Sequence, residues 1–351
     1  CGFFHVVLYK ISGMGIIMDK KGKILIGQIG IGHNHGSEKM RAVRKFPDLF
    51  EVVGIAEPDE KWRKMRGSHE VYSGLKWMDV EELLSVDGLD AVLVETDVMD
   101  LVPTAQKCID AGVHIHLDKP AGENITEYEK LLNDAKEKKL VVQLGYMYRY
   151  NPAVKYCFEA VKSGLLGEIF EIDAVMSTEH PKEYRKWLEN FKGGTMYIFG
   201  CHLIDLIISM LGFPERIMPI LKKTCFDGVQ CYDNGFALLE YEKAIATVRT
   251  TSTEVNGYGR RQLVICGRKG SIEVKPLENP TNLWLSLSEF SEPYADRKKI
   301  IELPQIKGRY DDMMEDFAKM IRGEMENPFS YEHELLIHKA TLMACGFDSK
   351  L

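Results

Sequence analysis

From Lys23 to Leu144 short β-rich apolar runs alternate with helix-like segments, and this alternation restricts the region to a parallel sheet covered by helices on both faces. The runs are Lys23–Ile29 (KILIGQI), Glu51–Ala56, Ala91–Glu95, Val113–Leu117 and Leu140–Leu144. Helices are predicted from Asn34 to Lys45 and around Val80–Val86. A third is opened by Pro103 in its first turn and closed by Gly112, the usual asymmetry of helix ends. Asn124-x-x-Glu127 is a capping box for a helix whose Tyr128, Leu131, Leu132 and Ala135 share one face.

The rhythm changes after Asn151-Pro152. A helix to Lys162 is followed by strand-like runs at Ile169–Met176, Phe236–Tyr241, Ala244–Ser252, Gln262–Cys266, Ser271–Val274, Leu283–Leu287 and Lys299–Leu303. Tight turns such as Glu242-Lys243 and Arg268-Lys269-Gly270 predict hairpins and a mostly antiparallel sheet. Gly194–Leu211 reads as a helix set among these strands, and two helices close the chain. In the first of them Met313, Phe317, Met320 and Ile321 form an apolar stripe. A length of 351 residues is too great for one core. The expected division is an extension at 1–22, a doubly wound α/β domain at 23–150, and an α/β domain with a large open sheet at 151–351.

A formal net charge of −7 argues against nucleic acid and anionic membranes as partners, and no apolar run is long enough to span a bilayer. Eight cysteines without a C-x-x-C pair read as reduced thiols of a cytoplasmic protein. Residues 1–22 lack the basic start and cleavage site of a secretory signal.

Gly30-Ile31-Gly32-His33-Asn34-His35-Gly36 stands between a strand and a helix. Glycines there let the backbone turn tightly and approach a pyrophosphate at the helix N-terminus. His35 holds the place of the third glycine of G-x-G-x-x-G. Glu57 ends the second strand, where a carboxylate accepts from a ribose 2′-hydroxyl and repels a 2′-phosphate. NAD is therefore favoured over NADP, with Arg63 and Lys64 near enough to weigh the other way. Asp118-Lys119-Pro120 ends a later strand, where ligands of such folds sit. Lys119 there can hold a substrate hydroxyl or relay its proton; the competing reading is a solvated lysine. In Gly193-Gly194-Thr195-Met196-Tyr197-Ile198-Phe199-Gly200-Cys201-His202-Leu203-Ile204-Asp205, His202 and Asp205 share a helix face. His202 is either a general base or a core histidine bonded to backbone. His33/His35 and His114/His116 share faces too, but lack further ligands, and no metal is assigned.

Together these stretches, with Tyr148-Arg149-Tyr150-Asn151-Pro152 at the domain junction, resemble the glucose–fructose oxidoreductase/inositol dehydrogenase/MocA-like family from about Lys23 onward. The resemblance implies a Rossmann domain followed by an α/β domain whose open sheet serves oligomerisation, as a homodimer or homotetramer. It implies cofactor contacts from Gly30 to His35, Glu57, Thr96, Asp118, Lys119 and Arg149, with Lys119 and His202 facing the substrate. Glu179, His180, Arg185, Trp187 and Tyr197 are expected to line a sugar site by their proximity to the helix motif. Three departures stand out. Ile198 replaces the aspartate of the family's Asp-x-Gly-x-His, Asp118 replaces a glutamate, and Leu101 stands where many relatives have histidine. The expected activity is NAD-dependent hydride transfer from a hydroxyl carbon of a sugar, polyol or related cyclic compound. An NAD-dependent glycosidase or epimerase working by transient oxidation is the alternative, and a catalytically impaired cofactor-binding protein is a third.

Overall fold

The computed structural model describes residues 22–289 and 298–348; nearly all of the expected extension lies outside them. The first half runs β1 (Ile24–Ile29), α1 (Gly36–Arg44), β2 (Phe50–Ala56), α2 (Glu60–Arg66), α3 (Val80–Leu84), β3 (Ala91–Val94), α4 (Leu101–Asp110), β4 (His114–Leu117), α5 (Ile125–Glu137) and β5 (Val142–Leu144). The strands form one parallel sheet in the order β2-β1-β3-β4-β5. The order reverses at β1, which opens a crevice beyond the carboxyl ends of β1 and β3. Local sequence explains the elements. Ala91 to Val94 are wholly buried, as a central strand covered on both faces requires. Asn124 caps α5 by accepting from the Thr126 and Glu127 backbone N–H groups.

Asn151 then accepts from Ala153 N, and Pro152 occupies the first turn of α6 (Pro152–Lys162). There follow β6 (Ile169–Ser177), α7 (Lys182–Trp187), α8 (Cys201–Leu211), β7 (Arg216–Lys222), β8 (Asn234–Glu240), β9 (Ile245–Thr251), β10 (Gln262–Gly267), β11 (Gly270–Val274), β12 (Asn282–Leu287) and β13 (Lys298–Glu302). They build an eight-stranded sheet in the order β13-β12-β11-β10-β6-β9-β8-β7. Only the β6–β9 pair in it is parallel. Strand β7 is absent from the sequence reading because Pro219 interrupts it; the sheet tolerates that proline because β7 is an edge.

The chain ends with α9 (Asp311–Ile321) and α10 (Tyr331–Ala344), which return to the first sheet's helices. The stripe on α9 is where it was expected, with Met313 and Phe317 fully buried. Gln143 on β5 donates to the Met313 carbonyl at 3.0 Å, and the Tyr331 hydroxyl donates to the Leu140 carbonyl at 2.7 Å. The closing helices are thus tied to the first sheet, and one cavity is lined both by Lys119 of the first half and by Met176 and Arg261 of the second. No helix among the described residues is long and apolar enough to cross a membrane.

Candidate active site

The glycine turn is dictated by close approach. Gly30 has φ +95°, and a Cβ there would stand 2.2 Å from the Thr96 nitrogen. Only glycine permits this, and it brings the end of β1 against the end of β3. Thr96 is buried directly beside the turn. Glu57, at the end of β2, accepts from Ile31 N at 2.6 Å and from Asp59 N at 2.8 Å. Burial raises its carboxyl and these N–H groups pull it back. The carboxylate thus fixes the loop from the end of β2.

Arg66 on α2 donates to the carbonyls of Ile31, Gly32 and His33 at 3.1, 2.7 and 2.9 Å, and to the Asn34 side chain at 2.7 Å. It stacks on Trp62, whose indole lies 2.9 Å from where a Gly32 Cβ would stand. Arg63 and Lys64 turn elsewhere, to the Trp77 ring and to Glu60. Helix α1 starts without a side-chain cap, leaving its N-terminus to accept an anion. A cavity of about 350 Å³ borders the loop at Ile31, His33, Asn34, Ser37, Arg66 and His69. A second, of about 270 Å³, adjoins it at His33 and Asn34 and runs on to Lys119. Were a dinucleotide bound, the uncapped start of α1 would hold its phosphates and the residues of the second cavity would receive its other end.

Below the loop lies a buried polar cluster. Lys39 Nζ is 3.1 Å from Glu95, 3.1 Å from Asp118 Oδ2 and 2.6 Å from His116 Nε2. His33 Nδ1 and His35 Nδ1 approach the same Asp118 oxygen at 2.9 and 3.2 Å, and Asp118 Oδ1 accepts from Lys119 N at 2.7 Å. Burial opposes both charges, but Asp118 and Glu95 hold Lys39 above its ordinary value. His33 and Lys39 hold Asp118 well below its own, against the same burial. Burial drives Glu95 well up. His116 is pushed down to about 3 by burial and Lys39, so its neutral Nε2 accepts from the ammonium while Nδ1 donates to Gln143 at 2.9 Å. Asp118 is therefore a structural hub, wholly buried and outside the cavity wall, which corrects its expected cofactor contact. His33, His35 and Asp118 place three ligand-type atoms within 4.8 Å. The Lys39 ammonium already fills the cationic role on that oxygen and repels a metal ion.

Lys119 and His202 meet in the wall of the 270 Å³ cavity. Lys119 is buried, and its Nζ donates to the Ile198 carbonyl at 3.1 Å. That carbonyl belongs to a wide π turn, Met196–Gly200, leading into α8. Such turns recur at functional sites because they free backbone groups from the helical ladder. Position 198 thus offers Lys119 a backbone oxygen in place of a carboxylate. Burial lowers the Lys119 ammonium, with help from Arg309 and Lys39. His202 stands edge-on to Tyr146 and Tyr148, at 5.9 and 5.3 Å between ring centres. Its Nδ1 is buried without a partner, and burial with Lys119 beside it keeps the ring neutral. Asp205 does not orient it: Arg149 claims Asp205 at 2.7 Å and Glu334 at 2.6 Å. Asp173 is engaged by Thr247 and Gln262 within the sheet.

Arg149 is consequently a buried clamp joining the domain junction to α8 and α10, not a cofactor contact. Two further expectations are corrected. Glu179 is exposed and bridges to Thr253, because strand-like alternation sends its neighbours Thr178 and His180 to the cavity instead. Tyr197 is wholly buried against Phe191, since the π turn rotates it into the core. Arg185 is held by the His180 and Phe226 carbonyls and Asp227. Trp187 does line the cavity, with an aromatic wall that sequence reading found only in part. There His180 stacks on Tyr184 at 4.2 Å and on Phe199 at 5.1 Å, with interplanar angles of 17° and 9°.

Residues 24–146 match the model of an oxidoreductase family with an NAD-binding Rossmann fold, and residues 154–273 match the GFO/IDH/MocA C-terminal domain. The uncharacterized oxidoreductase YhhX of Escherichia coli (strain K12) is 27% identical over 252 residues, 69% of each chain. Myo-inositol 2-dehydrogenase of Thermotoga maritima is 21% identical over 307 residues, covering 85% of this chain and 88% of the relative. An oxidoreductase structure from Desulfitobacterium hafniense, described as NADPH-dependent, superposes with a TM-score of 0.79 at 19% identity. It covers 92% of this chain and 95% of that one, and shows a shared fold.

Proposed function

Because this chain belongs to the GFO/IDH/MocA oxidoreductases, with their NAD-binding Rossmann domain, we propose that it oxidises a hydroxyl carbon of a polyol or sugar-like ring. The observation that carries this is the meeting of Lys119 and His202 in one buried cavity that adjoins the glycine loop. A bound nicotinamide supplies the hydride acceptor. Lys119 receives the substrate hydroxyl, and as its burial favours the neutral amine it can take the hydroxyl proton. Once protonated it stabilises alkoxide character in the transition state. His202 contributes a neutral ring that positions the hydroxyl. The aromatic wall excludes water and offers a flat face to ring C–H bonds. The relative from Thermotoga maritima, named for an inositol, supports the polyol class. The test is a screen of polyols and sugars for reduced-nicotinamide absorbance with each cofactor; absence of turnover across it, with cofactor bound, would remove the proposal.

NAD is the preferred cofactor in this reading, because Glu57 meets the loop and Arg63 and Lys64 are engaged elsewhere. Calorimetry is expected to show NAD binding more tightly than NADP. Glu57→Gln keeps the acceptor for Ile31 N but removes the charge, and should narrow the gap by about tenfold, the worth of one charged hydrogen bond. Tighter NADP binding by the unaltered protein would contradict this.

The open face of the second sheet supports self-association. Trp284 and Ile300, directly paired across β12 and β13, are 36% and 50% exposed. Ile245 and Ile220 lie bare on the same sheet. Light scattering at micromolar concentration is expected to give a dimer or tetramer, and Trp284→Glu to shift it toward monomer. A monomeric unaltered protein would exclude this assembly.

A further inference from the structure

Resting on the dehydrogenase reading above, we propose that the substrate carries a carboxylate, held by Arg309 and Arg261 while Lys119 attends the reacting hydroxyl. The cavity wall holds these three basic side chains and no aspartate or glutamate. Asp118, behind the wall, is taken up by His33, His35 and Lys39, while Glu278, in the wall of a neighbouring hollow, serves both arginines: Oε2 accepts from Arg261 at 2.7 Å and Oε1 lies 3.2 Å from Arg309. One carboxylate between two guanidiniums leaves a positive charge without a counterpart. Lys119 adds to this excess once it has taken the substrate proton, since its Nζ is bonded to a backbone carbonyl and joins no ion pair among the described residues.

The two arginines are differently placed. Arg261 is buried, and its other donors go to the Ser177 carbonyl, Thr178 and Tyr148, so its fork is fixed. Arg309 is 36% exposed, and its single ion pair is the longer one to Glu278. It stands where the cavity opens into an adjoining hollow of about 330 Å³, whose wall it shares with Met147 and Tyr148. A guanidinium there has donors to spare for a planar, bidentate acceptor. The sequence points the same way. Ile198 removes the carboxylate that the family's histidine motif would bring to this wall, and with it the charge that would repel an acid. A neutral polyol would leave the positive excess in place. A polyhydroxy acid matches it: carboxylate to Arg309, ring or chain against the aromatic wall, carbinol to Lys119.

The test compares kcat/KM for D-gluconate, D-glucuronate and quinate with that for D-glucitol, D-glucose and myo-inositol, with glucose 6-phosphate as a second anion. Calorimetric titration of each into the NADH-loaded protein accompanies it. At least one acid is expected to exceed its neutral counterpart by tenfold or more, with a preference that falls as salt rises. Arg309→Met should lower kcat/KM for that acid by about ten- to a hundredfold, mainly through KM, and erase the preference. Neutral compounds turned over as well as the acids would overturn the inference and leave the dehydrogenase reading standing. Preference for the phosphate ester would overturn the carboxylate assignment. Acid that binds through Arg309 without forming NADH would uphold the carboxylate site and remove the dehydrogenase reading. Acid that neither binds nor reacts would overturn the inference.

Discussion

Lys119→Met is expected to lower turnover by about 10³-fold while NAD affinity changes little. One group serves both to take the hydroxyl proton, worth about 10²–10⁴, and to place positive charge beside a developing alkoxide, worth about 10²–10³; the two overlap on the same proton and do not multiply. Methionine keeps the buried stem, so the cavity wall survives. The same group sets the pH dependence. Burial lowers Lys119 below 10.5, and oxidation requires its neutral form, so the oxidative rate should rise with pH through that lowered value. The methionine variant should lose this limb. His202→Asn is expected to cost about tenfold, below the usual range for an oriented base, because no carboxylate fixes its Nδ1. Near-normal turnover in Lys119→Met would exclude the proposed chemistry whatever cofactor is bound.

Arg149→Met is expected to destabilise the fold by about 3–5 kcal/mol, the usual cost of stripping one partner from a buried ion network. The guanidinium spans Asp205 and Glu334, all three side chains being almost wholly buried, and lies 3.7 Å over the Phe329 ring. Removing it leaves two carboxylates facing each other in the core, where burial already pushes Asp205 up to about 6. Urea denaturation of the two proteins measures the loss. Unchanged stability with weakened NAD binding would instead restore the cofactor contact that the junction motif suggested.

What the sequence revealed and what it concealed divide by distance along the chain. Strand–helix alternation, the Gly30 turn, the Asn124 cap and the end-of-strand position of Lys119 are local, and each is found where its residues imply. Lys39 on α1 is the cation of a cluster whose other members come from the ends of β3 and β4. Nothing near it in sequence announces Glu95, His116 or Asp118 as partners. Arg261 and Arg309 are hidden for the same reason: a strand and a loop carry them to Glu278. The expectation for Tyr197 rests on proximity alone, and proximity does not tell which way the π turn at Met196–Gly200 directs a side chain. For Glu179 the signal existed: strand alternation from Ser177 assigns Thr178 and His180 to one face and Glu179 to the other. Helix α2, which carries Trp62 and Arg66 across the glycine loop, is short and rich in charge and has no apolar periodicity to announce it.

The most direct test of a glycine loop and Lys119 acting on one substrate is a single-turnover measurement with the protein in excess over NAD and a hydroxyl compound identified by the screen. Reduced nicotinamide should appear on the protein in proportion to the limiting reactant, and should slow when the reacting carbinol carbon carries deuterium. Bound NAD that stays oxidised with neutral and acidic hydroxyl compounds alike would contradict it.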